Sequence, residues 1–334
     1  MGSDVVPGDR SEPIDPTEPV DLGEPDAALG FVLRKARDHL AMAGVPDAAL
    51  DARILMGHAT GADPARLILD AERVLQPAER AMFADLIARR ATREPVTRIL
   101  GHRDFYGRTF TVTPDVLDPR PDTEVVVEAA IALIRDLGLD RAGADGGGLS
   151  ILDIGTGSGA ILLTLLAELP TATGLGIDIS PPALAIAAAN ARALGLDARA
   201  RFAVADLLRD PLPAGFNVWI SNPPYIDSAD IAGLAPEVRD HDPRLSLDGG
   251  ADGLDAYRAI LAAAAAVEPP DAGPVAIVFE VGARQADAVV ALAVQSGLCK
   301  PGAASLHHDV AGHTRCVTLQ PRRHKACEKH LDVP

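Results

Sequence analysis

The chain has 334 residues, 48% hydrophobic and 23% charged, which is ample for a core and for more than one domain. Its formal net charge is −16, and eight acids against Arg10 place −7 of that within the first 26 residues. This balance excludes a protein that grips long nucleic acid through its phosphates, while a short nucleic-acid substrate or a basic protein partner stays open.

Residues 1–26 are acidic and proline-spaced, with little to bury, and read as disordered. Asp26 then caps a helix over 27–43, which Gly44 ends. Pro46-Asp47 opens a second helix, Asp63-Pro64 a third and Pro77 a fourth, which stops before Glu94-Pro95. Leu50, Ile54 and Leu55, or Met82, Leu86 and Ile87, recur at helical spacing. A helical domain over 27–95 follows, with Arg89, Arg90 and Arg93 as a solvated face at its end. Residues 96–118 read as a β-hairpin connector, with Gly107 near the turn between Phe105-Tyr106 and Thr109-Phe110. Pro119-Arg120-Pro121-Asp122-Thr123-Glu124 stiffens the entry to a helix over 125–137, and 142–148 is a flexible joint.

A larger domain spans 119–320. From Ser150 strand and helix alternate, with strands near 151–154, 174–178, 201–204, 216–220 and 275–281 and a helix over 252–267. Such alternation means a parallel sheet covered on both faces. The segment His313 to Leu319 is expected to pair antiparallel at the sheet edge.

Two stretches in this domain carry chemistry. Gly155-Thr156-Gly157-Ser158-Gly159 forms a tight loop between the first strand and its helix. With Ala160 it also fits a dinucleotide fingerprint, so the loop alone is ambiguous. Asp178 lies about 20 residues on, where a carboxylate for ribose hydroxyls is expected in either case. Asp153 is placed for a ligand ammonium and Asp206 for an adenine amine; the structural alternatives are a tight turn and a loop cap.

The second stretch is the strand 216–220 running into Ser221-Asn222-Pro223-Pro224-Tyr225. The prolines stop the strand and offer carbonyls without competing N–H groups. Asn222 adds a side-chain acceptor and Tyr225 a flat face. Together they suit a planar NH2 group; a strand-ending turn is the bland alternative. A nucleoside site and an NH2-gripping corner in one sheet suggest methyl transfer from S-adenosylmethionine to nitrogen. An amide nitrogen is a poor nucleophile. Acceptors at Asn222 and Pro223 would orient it and stabilise its developing charge, with no strong general base needed.

The cysteines Cys299, Cys316 and Cys327 form no CxxC pair, so free thiols in a reducing compartment are expected, and no metal. His324, Cys327 and His330 sit in a basic tail over 321–334. With no membrane-length apolar run and no leader, a cytoplasmic monomer is expected, without membrane or stable nucleic-acid partners.

Asp-Ile-Gly-Thr-Gly-Ser-Gly at 153–159, Asn-Pro-Pro-Tyr at 222–225 and Pro-Arg-Pro-Asp-Thr-Glu at 119–124 resemble the release factor glutamine methyltransferases. The resemblance spans roughly 28–320. It includes Asp51-Ala52-Arg53, Asp242-Pro243-Arg244-Leu245, Gly249-Gly250, Asp252-Gly253-Leu254, Tyr257-Arg258, Glu280-Val281-Gly282 and Gln285. It implies a Rossmann-like seven-stranded S-adenosylmethionine-dependent methyltransferase sheet with a small N-terminal helical domain that recognises substrate. The implied acceptor is the glutamine in the Gly-Gly-Gln motif of peptide chain release factors. By position, Gly155, Thr156, Gly157, Ser158, Gly159, Asp178 and Asn222 would contact the cofactor, with Asp153, Asp206 and Leu207 in the same set. Asn222, Pro223, Pro224 and Tyr225 would hold the glutamine, and Asn222, Pro223 and Tyr225 would act in catalysis. Leu207 stands where members often carry an aromatic residue, Asp118 where an apolar one is expected, and Asp242 for the usual Glu. A ribosomal-protein glutamine, a nucleobase amine and a non-catalytic cofactor-binding module are the competing readings.

Overall fold

Caps and glycines divide residues 29–100 into short helices. A computed structural model describes residues 20–140, 148–267 and 273–321. The acidic stretch to 19, the joint at 141–147 and the basic tail from 322 lie outside the described residues. The chain forms two units, 1–101 and 102–334. The first holds α1 (Leu29–Met42), α2 (Ala48–Thr60), α3 (Pro64–Leu69), α4 (Pro77–Ala91) and α5 (Val96–Leu100). Asp63 accepts the Arg66 N–H at 2.7 Å to start α3, and Gln76 with Glu79 closes a capping box on α4. Leu29, Leu40, Leu55, Met56, Phe83 and Ile87 meet in the core.

The helical unit corrects several sequence expectations. On α2 the buried stripe is Ala48, Asp51, Ala52, Leu55 and Met56, while Leu50 and Ile54 are exposed. Met82 on α4 is exposed as well. Apolar spacing misled because a charged residue occupies the buried stripe. Asp51 meets Arg90 Nε at 2.7 Å, with side chains only 12% and 5% exposed. Arg90 is therefore an interior ion-pair partner and not part of a solvated face. Arg89 pairs with Glu94, and Arg93 takes a left-handed φ of 71°. Order also reaches into the stretch read as disordered: Leu22 is buried in this core and Asp21 pairs with Lys35 at 2.8 Å. Residues 96–100, expected in the hairpin connector, are the helix α5. Pro95 is extended at its N-cap and Gly101 left-handed at its C-cap, which confines it to five residues.

The second unit opens with a hairpin, β1 (His102–Phe105) and β2 (Arg108–Thr111), turning at Tyr106 and Gly107. Both turn residues have positive φ, 49° and 70°. A 3-10 turn (Pro121–Thr123) leads into α6 (Glu124–Asp136). Then come β3 (Ser150–Ile154), α7 (Ala160–Glu168), β4 (Thr173–Asp178), α8 (Pro181–Ala193), β5 (Ala200–Val204) and β6 (Val218–Ser221). After α9 (Pro236–Arg239) and α10 (Asp255–Ala265) follow β7 (Ala276–Glu280), α11 (Ala286–Gln295), β8 (Ala304–His308) and β9 (Thr314–Leu319).

The sheet has seven strands in the order β5-β4-β3-β6-β7-β9-β8. The first five in that order are parallel, and β9 runs antiparallel between β7 and β8. The segment expected at the edge is thus interior, and the edge is β8. Nothing in Ala304–His308 reads as a buried strand, because most of it is exposed or half-buried. One face packs α6 and α7 against residues such as Ile151 and Val218, and the other packs α10 and α11 against Trp219 and Phe279. Strand order reverses at β3, which has β4 on one side and β6 on the other. The carboxyl ends of these strands therefore flank a crevice.

Candidate active site

The glycine loop leaves β3 under backbone constraints. Gly155, Gly157 and Gly159 all have left-handed φ, at 75°, 54° and 79°. A Cβ on Gly155 or Gly157 would meet nothing within 4 Å, so conformation demands those glycines; at Gly159 it would also press Leu163 and Ala187. Gly155 and Thr156 N–H both donate to the Ile177 carbonyl, at 2.8 and 2.9 Å, stitching the loop to β4. Asp178 ends β4 and takes the Gly157 and Ser180 N–H groups, one on each carboxylate oxygen, both at 2.9 Å. A carboxylate has about four acceptor sites, so roughly two remain for ligand hydroxyls.

A cavity of about 240 Å³ opens beside this loop. From the expected set, Gly155, Gly157, Asp178, Asp206, Leu207, Asn222 and Pro224 line it, with Ile154, Ile177 and Leu208 as apolar wall. Asp206 Oδ1 accepts the Leu208 N–H at 2.9 Å, which makes it a loop cap as well as a cavity residue. Asp153, Thr156, Ser158, Gly159, Pro223 and Tyr225 do not line the cavity. Asp153 is buried and accepts the Thr156 hydroxyl at 2.6 Å, and burial pushes its carboxyl up to about 7. Its other oxygen is buried without a hydrogen-bond partner among the described residues.

Asn222 follows β6, where Ser221 Oγ anchors the strand end to the Ile154 carbonyl at 2.6 Å. Its Nδ2 lies 3.5 Å from Thr123 Oγ1, and Thr123 donates to Glu280 Oε2 at 2.6 Å. The proline-rich connector thus reaches the site through Thr123. Its other residues are structural ties: Arg120 to Asp242, Asp122 to Arg315 at 2.8 Å, and Glu124 to the Tyr106 N–H at 3.0 Å. Asp242, the expected departure from glutamate, meets Arg120 directly. Glu280 is buried at the end of β7, and burial pushes its carboxyl up to about 7. Tyr225 is largely enclosed; its hydroxyl lies 3.5 Å from Glu280 Oε1, and burial raises its pKa.

The Pro224-Tyr225 backbone is gripped from behind. Gln285 Nε2 donates to the Tyr225 carbonyl at 2.8 Å and to the Gly253 carbonyl at 3.2 Å. A Cβ on Gly249 would sit 2.8 Å from the Pro224 carbonyl oxygen, and one on Gly253 2.3 Å from that of Tyr225. These glycines permit close approach of two backbones. The sequence signalled Gly249, Gly253, Gln285 and Glu280 as parts of the family resemblance, and Thr123 as part of a stiff connector with no role of its own. Their contacts join residues far apart in the chain.

A PrmC N-terminal domain model matches residues 32–101, and a methyltransferase domain model matches 145–245. The release factor glutamine methyltransferase of Rhodospirillum rubrum is 46% identical over 304 residues, 91% of this chain and 88% of that protein. The chain belongs to the release factor glutamine methyltransferase family. A further relative of that name, from Cereibacter sphaeroides, is 44% identical over 86% of this chain and 96% of its own length. Among solved structures, the hMettl16 catalytic domain in complex with MAT2A 3'UTR hairpin 6 has a TM-score of 0.51 at 16% identity. That match covers 75% of this chain and 84% of the other, and it bears on the fold alone. Membership makes this chain a methyltransferase built on a seven-stranded sheet with a helical N-terminal region.

Proposed function

We propose that this chain transfers a methyl group from S-adenosylmethionine to the side-chain amide nitrogen of the glutamine in the Gly-Gly-Gln motif of peptide chain release factors. The observation that carries this reading is Asn222, which lines the same cavity as Asp178 while its NH2 lies toward Thr123. The side-chain carbonyl is then the group left over to accept from a substrate NH2. The cavity residues fit the cofactor: a carboxylate with spare acceptor sites, a second acid at Asp206, apolar walls and a glycine loop open to close approach. When bound, S-adenosylmethionine supplies an electrophilic methyl group.

The chain's own residues do the rest. Asp178 holds ribose hydroxyls, Asp206 takes the adenine amine, and Leu207 with Ile177 packs the ring. Asp153, Thr156, Ser158 and Gly159 fix the loop from behind. The Asn222 side-chain carbonyl and the Pro223 backbone carbonyl accept the glutamine NH2, orienting its lone pair and stabilising positive charge as it develops. Pro224 and Tyr225 close the site against water. Release factors work on ribosomes, so the reaction belongs in the cytoplasm, and the helical unit contributes to recognition of the protein substrate.

The test is single-turnover methylation of a purified release factor with labelled cofactor. Its Gln-to-Asn variant and a ribosomal protein serve as controls. Asn222→Ala should lower the rate about 100- to 1000-fold, the usual loss for one oriented acceptor of this kind. Equal labelling of the Gln-to-Asn control, or a wild-type rate in Asn222→Ala, would overturn the assignment.

A further inference from the structure

Glu280 is buried, sits at the end of β7, and does not line the cavity. Its neighbours nonetheless fix a hydrogen-bond direction. Thr123 Oγ1 lies 2.6 Å from Glu280 Oε2 and 3.5 Å from Asn222 Nδ2. A carboxylate can only accept, and a threonine hydroxyl has one hydrogen. Once that hydrogen goes to Glu280, Thr123 can only accept from Asn222. The Asn222 NH2 must therefore face Thr123, and its carbonyl must face the other way. The two orientations of an asparagine amide are nearly equal in shape and differ only through such partners. The other ends of Glu280 are held as well, Oε1 by the Tyr225 hydroxyl at 3.5 Å and the backbone carbonyl by the Tyr257 hydroxyl at 2.8 Å.

From this chain of donors we infer that Thr123 and Glu280 are positioning residues that set the amide orientation of Asn222, and thereby present the nitrogen and not the oxygen of an amide substrate to the methyl donor. The inference rests on the function proposed above. It addresses a specific difficulty. In a carboxamide the oxygen carries more of the electron density than the nitrogen. An Asn222 turned the wrong way would offer its NH2 to the substrate, bind the substrate oxygen's side as a donor and repel the NH2. A carbonyl at that place accepts the NH2 and leaves the substrate oxygen turned away. The 3.5 Å separation is at the long limit for a hydrogen bond. Glu280 must be ionised for the direction to hold. Burial raises its carboxyl to about 7, with Asp122, Arg315, Tyr225, Tyr257 and Cys316 as the titratable groups around it.

The experiment compares Thr123→Val, Thr123→Ser and Glu280→Gln with wild type in the full chain at pH 8. The first readout is the hydrogen-exchange rate of the Asn222 side-chain NH2, followed by NMR in ligand-free protein. Protection should be lost in Thr123→Val and kept in Thr123→Ser. The second readout is single-turnover methylation of a release factor. Thr123→Val and Glu280→Gln should lose about 10- to 100-fold in rate, typical of a residue that orients an active group, with the substrate KM nearly unchanged. Thr123→Ser should restore the rate. Equal NH2 protection in Thr123→Val and wild type, or equal rates in Thr123→Val and Thr123→Ser, would overturn the inference. If wild type methylates no release factor, the proposed function falls, while the NMR comparison still decides how Asn222 is held.

Discussion

Gly253→Ala isolates the backbone grip on the Pro224-Tyr225 segment. Two costs are separable. Gly253 has φ of 70°, so any side chain there adds about 1–2 kcal/mol of conformational strain. The second cost is steric. The new Cβ would lie 2.3 Å from the Tyr225 carbonyl oxygen and 2.5 Å from Gln285 Nε2, against 3.4 Å for ordinary contact. The loop must therefore retreat by about 1 Å, and a displacement of that size at a reacting centre can cost about 100-fold in rate. Gly195 provides the control. Its φ is 69°, a Cβ there meets nothing within 4 Å, and it follows α8 at the opposite edge of the sheet. Gly195→Ala should lose only the strain cost, about 1–2 kcal/mol in urea, and no activity. Gly253→Ala should lose about 100-fold in single-turnover rate while calorimetric affinity for the cofactor stays within about twofold, because Gly253 does not line the cavity. Equal rates in the two variants would refute the idea that the grip positions the catalytic loop.

Asp178→Ala removes the acceptor of two backbone N–H groups and of the proposed ribose contact, so cofactor affinity should fall by about 1.5–3 kcal/mol; an unchanged calorimetric Kd would rule this out. Asp51→Ala removes the carboxylate partner of Arg90 in the core of the helical unit, where Arg90 keeps the Glu94 carbonyl at 3.3 Å, and should cost about 3–5 kcal/mol, whereas Asp51→Leu with Arg90→Met should recover most of it in denaturant unfolding. Asp153 has an ordinary value of 3.8 and a folded value of about 7, so the native state holds the proton. Its contribution to stability is full below about pH 4 and lost as pH rises through about 7. Asp153→Asn should therefore flatten the decline in urea midpoint of the ligand-free protein between pH 5 and pH 7.5, and an unaltered decline would count against the assignment.

What the sequence disclosed is what neighbouring residues encode. The run Ile151-Leu152-Asp153-Ile154 breaking into glycines states a strand and a tight turn, and the prolines after Asn222 state where a strand must stop. Both signals are local steric facts. The supports of the site are not local. Thr123 lies 99 residues from Asn222 and meets it only because α6 packs along the sheet. The interior pair Asp51 and Arg90 broke the apolar stripe that would have announced the buried face of α2. The edge strand β8 has a half-exposed pattern, since one of its backbone edges has no neighbour among the described residues and its side chains see solvent.

The placement of β9 between β7 and β8 bears on how the molecule is made. Synthesis proceeds from the N-terminus, so β7 is available long before β9 emerges. Until then the chain presents a strand, apolar up to Glu280, with one unpaired backbone edge, the kind of surface that recruits other strands. Among the described residues β8 pairs with β9 and not with β7. Among the described residues, the strand latest in the chain is thus the one that covers the β7 edge. Glu280 at the end of β7 pairs in register with Cys316 of β9, so the support beneath Asn222 is completed only at that moment. A chain that has formed its glycine loop and its Asn-Pro-Pro-Tyr turn still lacks the β9 neighbour of Glu280 until Thr314–Leu319 pairs with β7.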